Sequence, residues 1–212
     1  MKSNCTSWKY RIDLHVHTRR FSPCAETLDP EKLLHVMSQR SIHGVVIAEH
    51  DQLWPSEDIA ALNRRLKHQR IYRGVEVSSK NGHFVVIGAE SMNGIYPGIG
   101  IKELVKAARE LQAIVIWAHP LSNYKNLSEP FTLDQIPKEL NAVEVASDVT
   151  NSDATATVLL FAQKRGWTPV SGSDAHAISQ VGTKFTRFAH LPKDEKSLAA
   201  AIRDGRCRLN NE

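Results

Sequence analysis

Short apolar runs rich in β-branched residues alternate along the chain with segments whose apolar positions recur at helical spacing. The apolar runs predict seven strands, over residues 11–17, 44–50, 71–78, 83–88, 113–119, 142–146 and 168–173. The helical segments are 30–41, 56–68, 99–111, 152–165 and 193–204. This alternation predicts an α/β protein whose strands are mainly parallel and are joined by crossover helices. The run Val85-Val86-Ile87 before Gly88 indicates an antiparallel insertion beside the third strand.

Composition narrows the class of protein. Hydrophobic residues make up 42% of the 212-residue chain, and no apolar run approaches the length of a membrane-spanning helix. The first five residues lack the apolar stretch of a secretory signal, so we expect a cytoplasmic protein. No linker divides the chain, so we expect one domain over 1–212 with a core over 11–208. The net charge of +4 is consistent with an anionic substrate but too diffuse to indicate nucleic-acid binding, and a solvated surface of mixed charge is the simpler interpretation. Three widely spaced cysteines form no CxxC pair and indicate neither a disulfide framework nor a zinc finger.

Side chains with metal-binding chemistry stand at the ends of the predicted strands. The patterns Asp13-Leu14-His15-Val16-His17 and Ser173-Asp174-Ala175-His176 each place two such groups two residues apart. Residues i and i+2 of an extended strand point to the same side. A lone histidine at a strand end is usually structural, but the carboxyl ends of parallel strands share one crevice. The other candidates at such positions are His50, Glu76, His83 and His119.

Eight nitrogen and oxygen ligands in one crevice would repel one another or stay unsatisfied without cations. The set therefore predicts a metal site. One ion takes about four to six ligands, and a catalytic ion keeps a position open for water, so this set predicts two or three divalent ions. A mixture of imidazole and carboxylate suits Zn, Mn or Fe.

In chain order, the set is His15-x-His17, His50, Glu76, His83, His119-Pro120 and Asp174-x-His176. This ordered set resembles that of the PHP (polymerase and histidinol phosphatase) domain family, and the resemblance covers about residues 11–208. The resemblance implies a distorted (β/α)7 TIM-like barrel with a trinuclear metal centre and phosphoesterase chemistry. It implies that His15, His17, Glu76 and Asp174 hold one metal, and that Glu76 bridges to a second metal held by His83 and His119. His50 and His176 would hold the third.

Two positions depart from the family pattern. Glu49 precedes His50 where many members have Asp, and Asp51 follows it, so either carboxylate can orient His50. The family usually supplies a further His or Asp ligand soon after the His-x-His pair. Cys24 is the candidate for that ligand here, with Glu26 or water as alternatives and a small packed residue as the structural interpretation of Cys24.

We therefore expect a metal-dependent hydrolase of phosphoric ester bonds that acts on a small phosphomonoester, such as a nucleotide or histidinol phosphate. A metal-bridged hydroxide would attack phosphorus, Glu76 would hold two metals together, and Asp174 could accept a hydrogen bond from the nucleophile. Arg19 and Arg20 could clamp a phosphate, although two adjacent arginines are as often a solvated loop.

The sequence leaves alternatives open. These are 3'-5' exonuclease-type activity on DNA ends, hydrolysis of C–N or C–O bonds, and a metal-binding module without activity. The stretch 121–138 has no clear periodicity, which is compatible with a lid over the site or with a packed surface excursion.

Overall fold

A computed structural model of the chain describes residues 7–25, 27–120, 136–147 and 152–210. Nine strands lie within these ranges: β1 (Tyr10–Val16), β2 (Gly44–His50), β3 (Arg70–Ser79), β4 (Gly82–Ile87), β5 (Ile114–Trp117), β6 (Ala142–Ala146), β7 (Thr168–Ser171), β8 (Thr186–Phe188) and β9 (Arg208–Leu209). Five α-helices accompany them: α1 (Pro30–Gln39), α2 (Ser56–Asn63), α3 (Ile101–Glu110), α4 (Ser152–Arg165) and α5 (Glu195–Arg203). None of these helices is long and apolar enough to span a membrane.

All nine strands belong to one sheet, in the order β7-β6-β5-β4-β3-β2-β1-β8-β9. Strands β1 to β3 are parallel, and so are β5 to β7. Strand β4 runs antiparallel to both β3 and β5, which confirms the predicted insertion. The pattern does not predict β8 and β9, because strands of three and two residues are too short to show periodicity.

The two ends of the sheet approach each other and nearly close a barrel. Ser171 donates from its backbone N–H to Thr186 Oγ1 at 2.8 Å, and the Thr186 hydroxyl donates back to the Ser171 carbonyl at 2.9 Å. Val16 also pairs with Ala175 through an isolated parallel bridge. The expected distorted barrel is confirmed, with the β3–β4 hairpin in place of one crossover helix.

Side-chain alternation along the strands places His50 and Glu76 at one end of the barrel. Val46 and Ala48 of β2 share a buried cluster with Tyr72 of β3 and with Leu198 and Ile202 of α5, so α5 packs under the amino-terminal ends of the strands. Because side chains alternate along a strand, the residues two or four positions further on face the same side. On this alternation His50 and Glu76 lie at the carboxyl-terminal mouth of the barrel.

One predicted helix ends earlier than its sequence pattern indicates. Helix α2 stops at Asn63 and not near residue 68, because the Asn63 side chain accepts from the Ile71 N–H and donates to the Ile71 carbonyl, both at 2.8 Å. These bonds turn the chain into β3. The candidate lid at 121–138 falls outside the described residues except for its last three positions, and the alternative ligand Glu26 lies outside them too.

Candidate metal centre

The structure brings all eight predicted ligands to the mouth of the barrel. They form four overlapping groups of three, within each of which the potential ligand atoms lie no more than 4.8 Å apart. The groups are His17, His50 and His176; His15, His17 and Glu76; His15, His119 and Asp174; and Glu76, His83 and His119. Because the groups share members, they make one continuous set of side chains, which we call the ligand cluster.

Glu76 lies at the centre of the ligand cluster, and its side chain is 1% exposed. Its Oε1 atom lies 3.0 Å from His119 Nε2, 3.1 Å from His83 Nδ1 and 3.5 Å from His15 Nε2. Its Oε2 atom lies 2.8 Å from His50 Nδ1 and 3.5 Å from His17 Nε2.

Burial by itself would raise the pKa of Glu76. The charge on His15 and the contact with His119 outweigh burial and hold the pKa of Glu76 well below its usual range. Glu76 is therefore a carboxylate in contact with histidines on several sides.

A chain of hydrogen bonds fixes the orientation and tautomer of His17. The Ser22 hydroxyl donates to Glu49 Oε2 at 2.6 Å, so its oxygen must accept from His17 Nδ1, 3.3 Å away. Glu49 also accepts from the Thr18 N–H at 3.0 Å and from Trp54 Nε1 at 2.8 Å, which holds the carboxylate in place. With the proton on Nδ1, the Nε2 atom of His17 presents a lone pair to the ligand cluster.

Two other histidines are held in the same way. His15 Nδ1 lies 3.3 Å from Glu144 Oε1, and His176 Nδ1 lies 2.9 Å from the Asp174 carbonyl oxygen. Both acceptors require a proton on Nδ1, so Nε2 of each ring is free to act as a ligand. This arrangement is typical of histidines that bind metals.

Some contacts within the ligand cluster are unfavourable unless a proton or a metal ion lies between the atoms. The Nε2 atoms of His15 and His17 lie 3.1 Å apart, and two lone pairs at that distance repel unless a proton or a metal ion lies between them. Glu76 Oε2 is buried without a hydrogen bond, although His50 Nδ1 is only 2.8 Å away. The residues present thus fit divalent metal ions, which would neutralise the carboxylates and accept the lone pairs.

The pKa values of His15 and His17 shift in opposite directions. Burial disfavours a charge on His15, but the carboxylates of Glu144, Asp174 and Glu76 outweigh it and raise the pKa of His15 well above its usual value. Burial lowers the pKa of His17 to about 4, despite its hydrogen bond with Asp174. Without metal, a positive charge on this pair is therefore favoured on His15 over His17.

Glu144 is a functional candidate that the strand-end pattern does not identify. It lies in the middle of β6 and is 2% exposed. Its Oε1 faces His15 Nδ1, and its Oε2 accepts from the His119 N–H at 2.9 Å, so one carboxylate positions two ligands. A charged residue inside the otherwise apolar strand 142–146 is the sequence signal that could have revealed it.

Asp13 and Gly172 lock β1 against the segment that follows β7. Asp13 accepts from the Ser173 N–H at 2.8 Å, the Ser173 hydroxyl at 2.7 Å and the Gly182 N–H at 2.8 Å. Burial raises the pKa of Asp13 to about 6, although the hydrogen bonds from Ser173 and Gly182 oppose this shift. A Cβ atom at Gly172 would lie 2.7 Å from His15 Cβ, so only glycine allows this close approach.

The two carboxylates that flank His50 have other contacts. Asp51 accepts from the Ser78 N–H at 2.8 Å and thereby holds the end of β3. Glu49 reaches His50 only through Ser22, whose hydroxyl oxygen accepts from the His50 N–H at 3.3 Å. Neither carboxylate has a described hydrogen bond with the His50 ring.

Three further candidates lie outside the ligand cluster. Cys24 is exposed on a 3-10 turn and belongs to none of the ligand groups found among the described residues. Arg19 pairs with Asp29. Arg20 lies 2.6 Å from Asp58 Oδ2, with its guanidinium 4.5 Å from the Trp54 ring. Within the part of the chain that the structure describes, no hydrogen bond or ion pair joins either arginine to the eight ligands.

Comparisons with known proteins agree with this architecture. Residues 156–207, which include Asp174 and His176, match the family model for PHP-associated domains. An uncharacterized protein of Methanocaldococcus jannaschii is 27% identical over 186 residues, covering 85% of this chain and 71% of that protein.

Solved structures share the fold at low sequence identity. A two-domain protein of Bacteroides vulgatus, which contains a predicted PHP-like metal-dependent phosphoesterase, has a TM-score of 0.70 and 15% identity. The match covers 93% of this chain but only 63% of that one. Endonuclease Q, bound to a 27-mer duplex with an abasic lesion, has a TM-score of 0.62 and 14% identity, over 94% of this chain and 58% of that one. The chain thus shares its fold with proteins described as PHP-like, and residues 156–207 match the PHP-associated model.

Proposed function

We propose that the chain is a metal-dependent phosphoesterase that hydrolyses a small phosphomonoester. The observation that carries this proposal is the position of Glu76, a buried carboxylate with five histidine ring nitrogens within 3.5 Å. Such a set is costly to assemble unless it binds cations, because buried charges need compensation. Metal-assisted hydrolysis is a chemistry that such a donor set can support.

The ligand cluster would hold two or three divalent ions, with Zn, Mn or Fe as the candidates. His15, His17, Glu76 and Asp174 would hold one ion, and Glu76, His83 and His119 a second. His50 and His176 would hold a third, with His17 also within reach of it. When bound, these ions supply a water molecule of lowered pKa and neutralise the oxygens of a phosphate.

The protein's own residues hold the reacting groups. The two oxygens of Glu76 face different histidines, so this carboxylate would help to hold ions on both sides of it. Asp174 Oδ1 lies 3.1 Å from His17 Nε2 and Oδ2 lies 3.8 Å from His119 Nε2, which puts the carboxylate between two ligand groups. From there it can accept a hydrogen bond from the attacking water and remove its proton.

Exposure indicates the side from which the substrate enters. The side chains of His15 and His17 are inaccessible to solvent, whereas that of His83 is 44% exposed. His50 and His176 are also partly exposed, at 33% and 30%. A phosphate would therefore bind on the side of His83, His50 and His176, with the buried histidines below it.

The charge distribution favours a small substrate over DNA. The basic segment 64–68 leads into the first residue of β3, whereas Glu76 lies six residues further along that strand. At about 3.3 Å per residue, the two positions are roughly 20 Å apart. Arg203 lies beside Gln112 and Ala113, which precede β5, and is also at the end of the barrel away from the ligand cluster. Hydrolysis of DNA is the second candidate, suggested by the similarity to Endonuclease Q.

A panel assay on metal-loaded protein tests the proposal. Nucleotides, histidinol phosphate and other phosphorylated metabolites are compared with single-stranded DNA ends, using wild type, Glu76→Ala, Asp174→Ala and the exposed control Glu139→Ala. We expect a phosphomonoester to be hydrolysed by wild type and Glu139→Ala and by neither of the other variants. Survival of activity in both Glu76→Ala and Asp174→Ala would refute the mechanism. Activity on DNA alone would establish the second candidate, and bound metal without hydrolysis of any compound would indicate a metal-binding module.

A further inference from the structure

Positively charged side chains line a cavity at the amino-terminal end of the barrel. A cavity of about 380 Å³ opens between α2, the start of β3 and the start of α5. Four cationic side chains line it, Arg64, Arg70, Arg73 and Lys193, together with only two acidic ones, Asp194 and Glu195. The lining is therefore positively charged by two units if all six groups are ionised.

Local partners neutralise part of this charge. Glu195 Oε1 accepts from the Arg73 N–H at 2.9 Å and lies 3.8 Å from Arg73 Nε. Lys193 Nζ lies 4.0 Å from Asp194 Oδ2. Arg64 and Arg70 have no carboxylate partner among the described residues, so the excess charge of the cavity belongs to these two guanidinium groups.

Arg70 carries a further sign of an incomplete site. Its Nε atom is buried and has no hydrogen-bond partner among the described residues. A buried donor on a charged group that lacks an acceptor is destabilising, more so than a neutral one. A guanidinium offers five N–H donors in a planar fork that matches the oxygens of a phosphate. A phosphate in the cavity would offer acceptor oxygens to the Arg70 guanidinium, which lines it.

The neighbouring cavity, on the other side of α5, provides a contrast. It is larger, about 600 Å³, and three cations line it, Arg109, Lys196 and Arg203. Lys196 Nζ donates to the Leu111 carbonyl at 2.6 Å, and Arg203 donates to the Ala113 carbonyl at 3.4 Å. Two of its three cations thus donate to carbonyls of the segment between α3 and β5, so they have acceptors without any ligand.

We propose that the cavity between α2, β3 and α5 binds a small phosphorylated anion through Arg64 and Arg70. This site is separate from the ligand cluster, since Arg70 is the first residue of β3 and Glu76 lies six residues further along it, about 20 Å away at 3.3 Å per residue. A ligand bound there is not the substrate of the metal centre. The proposal therefore does not depend on the proposed hydrolysis.

Calorimetric titration of the full chain with inorganic pyrophosphate tests this site. The titration is done at pH 8 after chelation has removed metals, so that no metal ion at the ligand cluster binds the probe, and circular dichroism verifies the fold. We expect saturable binding of one pyrophosphate, weakened at least tenfold by Arg70→Gln and clearly weakened by Arg64→Gln. Arg109→Gln, which removes a cation from the neighbouring cavity, should bind as wild type does.

The Arg64→Gln and Arg70→Gln variants test the proposed site independently of each other. Arg64 is exposed and has no carboxylate partner among the residues that the structure describes, so Arg64→Gln reports on binding even if Arg70→Gln loses stability. Absence of saturable binding would overturn the proposal, and so would equal affinity in wild type and Arg64→Gln. An equal loss in Arg109→Gln would also overturn it, because the binding would then reflect overall charge and not this cavity.

Discussion

Replacing Glu144 with glutamine should weaken metal binding although Glu144 belongs to none of the ligand groups. One oxygen of Glu144 faces His15 Nδ1 at 3.3 Å, and the other accepts from the His119 N–H at 2.9 Å. Glutamine keeps the shape of the side chain but has only one acceptor oxygen. Its NH₂ group must therefore face either the His119 N–H or His15 Nδ1.

Both orientations are costly. If the NH₂ group faces His119, two donors oppose each other and the backbone of that ligand shifts. If it faces His15, the ring must accept on Nδ1 and carry its proton on Nε2, the atom that would bind the metal. Loss of a charge-assisted hydrogen bond costs about 1.5–3 kcal/mol, which is roughly a 10- to 150-fold change in an equilibrium constant. This range agrees with the 10- to 100-fold loss typical of removing a partner of a metal-binding histidine.

Competition with a fluorescent chelator measures the effect for Zn and Mn. We expect Glu144→Gln to lower the affinity of the tightest site by about 10- to 100-fold. The control Glu139→Gln replaces an exposed glutamate of the same size and should bind metal as wild type does. An affinity for Glu144→Gln within twofold of the control would refute the reasoning that the Glu144 carboxylate positions His15 and His119.

Three further outcomes follow from the geometry. Gly172→Ala should lower the free energy of unfolding by about 1–3 kcal/mol in urea denaturation and also weaken metal binding, because the new Cβ would lie 2.7 Å from His15 Cβ and 2.8 Å from Glu144 Oε1. The contact with Glu76 raises the pKa of His50 above its ordinary 6.5 in the metal-free protein. Protons therefore compete with metal from above pH 6.5, and metal affinity measured by titration should fall as the pH is lowered and recover as it is raised. Metal at a hundred times its Kd should add about 2.7 kcal/mol of stability per site, seen as a rise in Tm that chelation abolishes.

The ligand positions could be predicted from the sequence because two simple rules determine them. Alternation along a strand puts His15 and His17 near each other, and parallel strands bring their carboxyl ends together. The structure brings these residues together with Glu76, His119 and Asp174. The antiparallel β4 was also predictable, since Gly88 ends a short β-branched run next to the third strand.

The partners of the ligands could not be predicted, since they depend on contacts between distant segments. Ser22 joins Glu49 to His17 only because the turn after β1 folds back onto β2. Glu144 contacts His15 across 129 residues of sequence. Neighbouring positions in the sequence suggested that Glu49 or Asp51 orients His50, whereas the hydrogen bonds of Glu49 lead through Ser22 to the His17 ring.

Stepwise metal reconstitution tests the central claim most directly, that the ligand cluster is the catalytic centre of a metal-dependent phosphoesterase. Metal-free protein receives increasing amounts of Mn or Zn, and bound metal and hydrolysis of a phosphomonoester panel are measured on the same samples. We predict no hydrolysis without metal, and activity that rises with bound metal in wild type but not in Glu76→Ala. Hydrolysis by metal-free protein would contradict the account, and so would a wild-type protein that binds two or more ions per chain and hydrolyses no phosphoester.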